Sequence, residues 1–285
     1  MSVYTTLISV PQLQAVQQQA RPPLLIDVRF DLADTSAGEA AYGQGHLPGA
    51  HYLHLDRELS GAKLDANGAF RGRHPLPTRE GFAARLAALG LEAGRQVVAY
   101  DAQDGIYAAR LWWMLRWLGH EPVAVLDGGL QAWLSADGIL TGERPAAQPA
   151  AFVAAQSLAP SVDAASLLAS TGRLQVVDAR AGARFRGEVE PLDKQAGHIP
   201  GALNRFYKDN LDAEGRFKPA AVLREDFHAL LGQRPLGEVV HQCGSGVTAC
   251  HNLLAMEYAG LAGSQLYPGS WSEWSADAAR PVARG

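Results

Sequence analysis

Two cysteines, Cys243 and Cys250, are the only thiols in 285 residues, and Cys243 stands where a nucleophile would be placed. It follows the apolar run Glu238-Val239-Val240-His241-Gln242 and opens the loop Cys243-Gly244-Ser245-Gly246-Val247-Thr248-Ala249. The next stretch, Cys250 to Met256, reads as a helix. A side chain at the carboxyl end of a buried strand, in the turn before a helix, lies where α/β folds bind their ligands. Gly244 and Gly246 let the backbone curl so that successive amide N–H groups, through Val247 and Thr248, point inward as an anion nest. The helix N-terminus adds partial positive charge. Both effects favour thiolate over thiol, the form that attacks. Most free cysteines are simply small buried apolar side chains, and Cys250, one helical turn further on, is read that way. The sequence leaves a disulfide between the two open.

The elements that hold this loop occur twice. Leu25-Ile26-Asp27-Val28-Arg29 precedes Gly45-His46-Leu47-Pro48-Gly49-Ala50, and Val176-Val177-Asp178-Ala179-Arg180 precedes Gly197-His198-Ile199-Pro200-Gly201-Ala202. Val97 to Asp101 matches Val239 to Cys243, and Gly128 with Trp133 matches Gly269 with Trp274, 141 residues later. So long a period means duplicated domains rather than a solenoid. We expect an N-terminal domain over 1–145 and a C-terminal domain over 155–285, joined through the Pro- and Ala-rich stretch Gly142 to Ala150. Leu24–Val28, Val97–Tyr100, Val123–Leu126, Val176–Asp178 and Val239–Gln242 read as buried strands. Thr78–Leu89 and Ala108–Leu118, each closed by a glycine, read as helices, with a further one beginning near Thr248. The alternation predicts an α/β fold, each domain a mainly parallel sheet with helices on both faces.

The two copies differ at the chemical position. Asp101 stands where the second copy has Cys243, and a carboxylate offers no thiolate nucleophile, so the first copy is expected to be non-catalytic. Asp27 with Arg29, Asp178 with Arg180, and the repeated His46 and His198 occur in both halves. They are therefore read as fold-maintaining.

Apolar residues make up 47% and charged residues 19%, as in a globular protein with a full core. A net charge of −4 gives no cationic footprint for nucleic acid. The N-terminal residues lack a basic, then apolar, leader pattern, and no apolar run spans a bilayer. With two cysteines in one segment, the chain reads as cytoplasmic, in a reducing compartment.

The paired Gly-His-Ile/Leu-Pro-Gly-Ala blocks, the loop Cys243-Gly244-Ser245-Gly246-Val247-Thr248 and the end Tyr267-Pro268-Gly269-Ser270-Trp271-Ser272-Glu273-Trp274 resemble the tandem-domain rhodanese and 3-mercaptopyruvate sulfurtransferase family across nearly the whole chain. The resemblance implies two rhodanese-like domains, a catalytic cysteine in the second, a persulfide intermediate, and no metal or organic cofactor. Thiosulfate enzymes of the family carry Arg and Lys after the cysteine, whereas Gly244 and Ser245 are neutral. That implies 3-mercaptopyruvate as donor, with thiosulfate the alternative. Arg184 matches a substrate-binding arginine of the family. A second such arginine falls on Leu192 here, and Arg186 or Lys194 is expected to supply the charge. His74 and Asp56 resemble the family's proton-handling residues, and with Ser245 they would form an Asp–His–Ser chain. The expected acceptor is a thiol, a thioredoxin-like protein or cyanide.

Rival classes fit less well. A loop phosphatase needs an arginine six residues after the cysteine, where Ala249 stands. No Gly-x-Gly-x-x-Gly follows a first strand, against a dinucleotide enzyme. A non-catalytic sulfur-carrier or binding module is opposed by the intact cysteine loop.

Overall fold

The computed structural model describes residues 3–170 and 172–285. The chain divides into two compact units: Met1–Ser60, Pro77–Leu158 and Glu214–Arg216 form one, and Gly61–Leu76, Ala159–Ala213 and Phe217–Gly285 form the other. The strap 61–76, encoded in the first half, packs with the second unit, where the Arg73 N–H donates to Ser272 Oγ at 3.0 Å.

In the first unit β1 (Leu7–Ile8), β2 (Leu24–Asp27), β3 (Ala50–Tyr52), β4 (Val97–Tyr100) and β5 (Val123–Leu126) form one parallel sheet in the order β1-β5-β4-β2-β3. Every residue of β2, β4 and β5 is buried, the pattern of strands covered on both faces. The covering helices are α1 (Val10–Gln17), α2 (Ala37–Gln44), α3 (Arg79–Ala88), α4 (Ile106–Trp117) and α5 (Gly129–Ser135). Thr78 caps α3 by accepting from the Gly81 N–H. The start of α4 lies two residues before the expected Ala108, because Gly105 takes φ +81° and turns the chain into the helix early. Residues 142–150 form neither helix nor strand.

The second unit repeats the plan with a smaller parallel sheet, β7 (Leu203–Asn204), β6 (Gln175–Asp178), β8 (Val239–Gln242) and β9 (Gln265–Leu266), in that spatial order. Its helices are α6 (Ala164–Ala169), α7 (Gly182–Phe185), α8 (Ala220–Leu231), α9 (Thr248–Tyr258) and α10 (Ser270–Trp274). Ala164, Leu167, Val176, Ile199, Val240, Tyr267, Trp271 and Trp274 form the core on one side of the sheet. Both tryptophan N–H groups are satisfied inside it, by the Gln195 and Pro281 carbonyls. Among the described residues no helix is long and apolar enough to cross a membrane.

The repeated motifs do the same job in each unit. Arg29 holds the Asp27 carboxylate and donates from Nη2 to the Gly45 carbonyl at 2.7 Å. Arg180 does likewise with Asp178 and the Gly197 carbonyl, also at 2.7 Å. Each pair thus ties the end of a central strand to the glycine opening the Gly-His-x-Pro-Gly block. His46 pairs with the Tyr42 carbonyl and stacks on its ring, and His198 does the same with Phe185.

Candidate active site

Cys243 leaves the carboxyl end of β8, an interior strand, and is 2% exposed. The loop it opens is fixed by the backbone that follows β9. The Cys243 N–H donates to Ser270 Oγ at 3.1 Å, and Ser270 Oγ donates to the Tyr267 carbonyl. The first turn of α10 takes the loop's carbonyls: the Trp271 N–H donates to the Cys243 oxygen and the Ser272 N–H to the Gly244 oxygen. With those carbonyls engaged, the loop cannot rotate its peptide planes freely. Gly246 is required twice over. Its φ is +76°, and a Cβ there would stand 2.3 Å from the Pro268 carbonyl oxygen. Val247 is the N-cap residue and Thr248 the first residue of α9, so the helix dipole ends on the loop. Cys250 donates its thiol to the Gly246 carbonyl, and both cysteines are free.

Ser245 is buried, with its Oγ 2.7 Å from His74 Nδ1. The strap thus brings a titratable ring to the residue two beyond the cysteine, a geometry suited to passing a proton. Gly72 permits the approach, since at φ +102° its Cβ position lies 2.8 Å from the Gly269 oxygen. Asp56 belongs to the first unit, where its N–H donates to His54 Nδ1 at 3.1 Å.

The cations are arranged differently from expectation. A Cβ on Gly244 would lie 3.1 Å from Arg73 Nη2 and 3.5 and 3.7 Å from Arg184 Nη1 and Nη2. Arg184 is thus against the loop, as the sequence suggested. Arg186 is instead spent on Glu188 in an exposed pair at 2.7 Å. Leu192 is 46% exposed, and Lys194 is exposed. The second guanidinium beside the loop is Arg73, which sequence reasoning missed. It stands next to His74 in the chain, and that adjacency was the available signal.

The guanidiniums belong to an alternating chain of charge. Asp178 binds Arg180, Arg180 reaches Glu190 at 3.2 Å, Glu190 binds Arg184 at 2.6 Å, and Asp193 accepts from Arg184 at 3.2 Å and from Arg73 at 2.7 Å. Burial raises the Glu190 carboxyl, but Arg184 and Arg180 outweigh it and hold it below the usual carboxylate range. At Asp193 burial prevails over Arg73 and Arg184, and the carboxyl sits above its usual value.

The corresponding loop of the first unit is already occupied by its own side chain. Asp101, 1% exposed, accepts four backbone N–H groups, from Gln103, Gly105, Tyr107 and Ala108, at 2.9–3.0 Å. Burial pushes this carboxyl up, and the four donors oppose the shift. The fold therefore turns several amides inward onto one carboxylate at this turn of the first unit. Among the described residues no cluster of three or more His, Cys, Asp or Glu side chains is arranged to hold a metal ion.

Two parallel sheets, each with a glycine-bearing turn leaving an interior strand, define a duplicated α/β domain with one cysteine-bearing loop. The rhodanese-like domain family matches this chain over residues 9–136 and again over 161–277. A Pseudomonas aeruginosa protein named "Probable 3-mercaptopyruvate sulfurtransferase" is 48% identical over 286 residues, covering 98% of this chain and 100% of its own. Bovine thiosulfate sulfurtransferase is 32% identical over 259 residues, covering 88% of this chain and 84% of its own. The 3-mercaptopyruvate sulfurtransferase structure from Leishmania major superposes with a TM-score of 0.81 at 28% identity, over 95% of this chain and 74% of that one. The chain belongs to the tandem-domain rhodanese and 3-mercaptopyruvate sulfurtransferase family, and it is a sulfurtransferase.

Proposed function

We propose that this enzyme takes sulfane sulfur from 3-mercaptopyruvate and passes it through a Cys243 persulfide to a thiol, a thioredoxin-like protein or cyanide. The second unit carries the chemistry; the first, with Asp101 in place of cysteine, carries none. The Cys243 thiolate attacks the donor sulfur and a Cys–S–S bond forms while the donor S–CH2 bond breaks. The electron pair leaves on carbon as the pyruvate enolate, which takes a proton through Ser245 and His74. An acceptor nucleophile then attacks the outer sulfur and returns the Cys243 thiolate. Dividing the transfer at a covalent intermediate is the usual gain of nucleophilic catalysis. Inward amides of Gly244, Gly246, Val247 and Thr248 would hold the sulfur anion without reorganising.

One observation carries the choice of donor: the neutral pair Gly244-Ser245 lies against guanidiniums already balanced by carboxylates. Arg73 and Arg184 offset Asp193 and Glu190 in formal charge. Such a site offers directed donors without the excess positive field a dianion such as thiosulfate needs, and it suits a monocarboxylate. The higher identity to the relative named for 3-mercaptopyruvate supports the same reading. Both thiols being free suits a reducing, cytoplasmic setting.

The test is a Cys243→Ser variant together with intact-protein mass after donor treatment. Wild type should gain about 32 Da, one sulfur, and the variant neither gain mass nor turn over. A serine variant with full transfer activity would overturn the assignment. Thiosulfate exceeding 3-mercaptopyruvate tenfold in kcat/KM would reject the donor. Failure to form a persulfide with any donor would favour a binding module.

A further inference from the structure

We propose that the first unit carries a binding site for an organic monocarboxylate with an apolar body, its carboxylate held by Arg95 and His51 at the amino ends of β2, β3 and β4. The inference is independent of which sulfur donor the enzyme uses.

Ligands of parallel α/β sheets usually bind outside the carboxyl ends of the strands, and the Asp101 loop leaves β4 at that end. The opposite end of the same sheet is also hollowed. A cavity of about 560 Å3 lies there, within the size range of small-molecule sites. Every residue of its wall belongs to the first unit. Pro23 lies one residue before β2, Pro48 and Gly49 lead into β3, and Arg95 stands two residues before β4. Leu25 and Leu89 add apolar surface, and Pro145, Ala146 and Gln148, beyond α5, complete the wall. The chain just after them is tied down where the Ala150 N–H donates to the Ala87 carbonyl at 2.9 Å.

The charges of this wall do not cancel. Arg21 pairs with Glu92, both about half exposed. Arg95 is half-buried, and its Nη1 and Nε donate to backbone carbonyls, of Gly90 at 2.8 Å and of Pro22 at 3.4 Å. Neutral oxygens thus fix the guanidinium in place while its charge goes uncompensated, and its Nη2 has no hydrogen-bond partner among the described residues. Burial, and then Arg21, pull Arg95 below the ordinary guanidinium value. Arg29 moves the other way, because there Asp27 outweighs burial. His51, half-buried in the same cavity, is held below its ordinary value by burial and then by Arg95. It is therefore neutral at pH 7 and adds a ring N–H without adding charge. Its ring has no hydrogen-bond partner among the described residues. Two arginines against one glutamate leave a single positive charge, which matches a monoanion rather than a dianion, and the prolines and leucines are left for an apolar body.

Titration calorimetry of the full chain with 2-naphthoate tests the site, with 2-naphthylmethanol as the neutral analogue and 2-naphthyl phosphate as the dianion. Wild type should bind one naphthoate, at least tenfold more tightly than the alcohol. Arg95→Gln should weaken naphthoate about 10- to 100-fold, the range for one charge-assisted hydrogen bond, and leave sulfur-transfer kcat/KM unchanged. Arg184→Gln, beside the cysteine loop, should leave naphthoate affinity within twofold. If Arg95→Gln does not fold, Ala146→Glu carries the test, since it sets a carboxylate on an exposed part of the wall and should weaken binding at least tenfold. No saturable binding in the millimolar range, equal affinity for the alcohol, or a loss with Arg184→Gln but not with Arg95→Gln or Ala146→Glu would overturn the site. Tenfold tighter binding of the phosphate would overturn the monocarboxylate class.

Discussion

Replacing Gly246 by alanine tests whether the loop geometry, rather than the mere presence of a cysteine, makes the site. Two costs apply. An L-residue at φ +76° loses about 1–2 kcal/mol to the left-handed backbone, offset by about 0.4–1 kcal/mol because alanine restricts the unfolded chain. The larger cost is contact, since the new Cβ would stand 2.3 Å from the Pro268 oxygen, about 1 Å inside an ordinary approach. That backbone cannot simply retreat. The Tyr267 N–H is bonded to the His241 oxygen, and the Tyr267 oxygen holds the Ser270 hydroxyl that receives the Cys243 N–H. Overpacking of this kind costs about 1–3 kcal/mol, for a total of roughly 2–4 kcal/mol, and a 1 Å displacement of reacting groups lowers turnover about 100-fold. Gly201 supplies the control, with φ +78° and no atom within 4 Å of its Cβ position. Gly201→Ala should lose about 1 kcal/mol or less and keep wild-type kcat/KM. Urea titration and sulfur-transfer kinetics on both variants read the two costs separately. Equal stability losses with turnover intact in Gly246→Ala would refute the claim that Pro268 shapes the loop.

Ser245→Ala removes the 2.7 Å contact with His74, and kcat with 3-mercaptopyruvate should fall about 100-fold; retained kcat would remove the pair from proton transfer. Asp101→Ala orphans three buried N–H groups and one partly buried and should cost about 3–5 kcal/mol in urea unfolding, whereas a loss under 1 kcal/mol would show that water replaces the carboxylate. Burial lowers His120 to about 4 and His241 to about 3. Each stays neutral when folded and takes a proton when unfolded below its ordinary value, so stability is full above pH 6.5 and falls as the pH drops from there towards those values. Between pH 7 and 5 each histidine should remove roughly 2 kcal/mol, and His120→Gln should abolish its share; the same slope in that variant would contradict the assignment.

The parts of the site written in contiguous residues were legible from the sequence. The cysteine, its glycines and the helix that follows are consecutive, and the duplicated Asp-x-Arg and Gly-His-x-Pro-Gly blocks announce themselves by repetition. Arg184 was singled out through resemblance. Arg73 was not, because its relation to Gly244 exists only once the strap has crossed to the second unit, and no local period encodes that crossing. Arg186 pairs with Glu188, two residues on, at the surface, a local partner visible in the chain. The strands β1, β7 and β9, two residues each, are too short to carry a pattern.

The strap 61–76 has a consequence for biosynthesis. Its His74 meets a serine 171 residues later in the chain, an interval that a ribosome adding roughly 5–20 residues per second needs about 10–30 s to cover. Until then the segment has emerged without the surface it docks on, and an isolated fragment beginning at residue 155 would never acquire it. Cutting such a gene at its apparent midpoint would separate the nucleophile from the histidine that the folded unit sets beside Ser245.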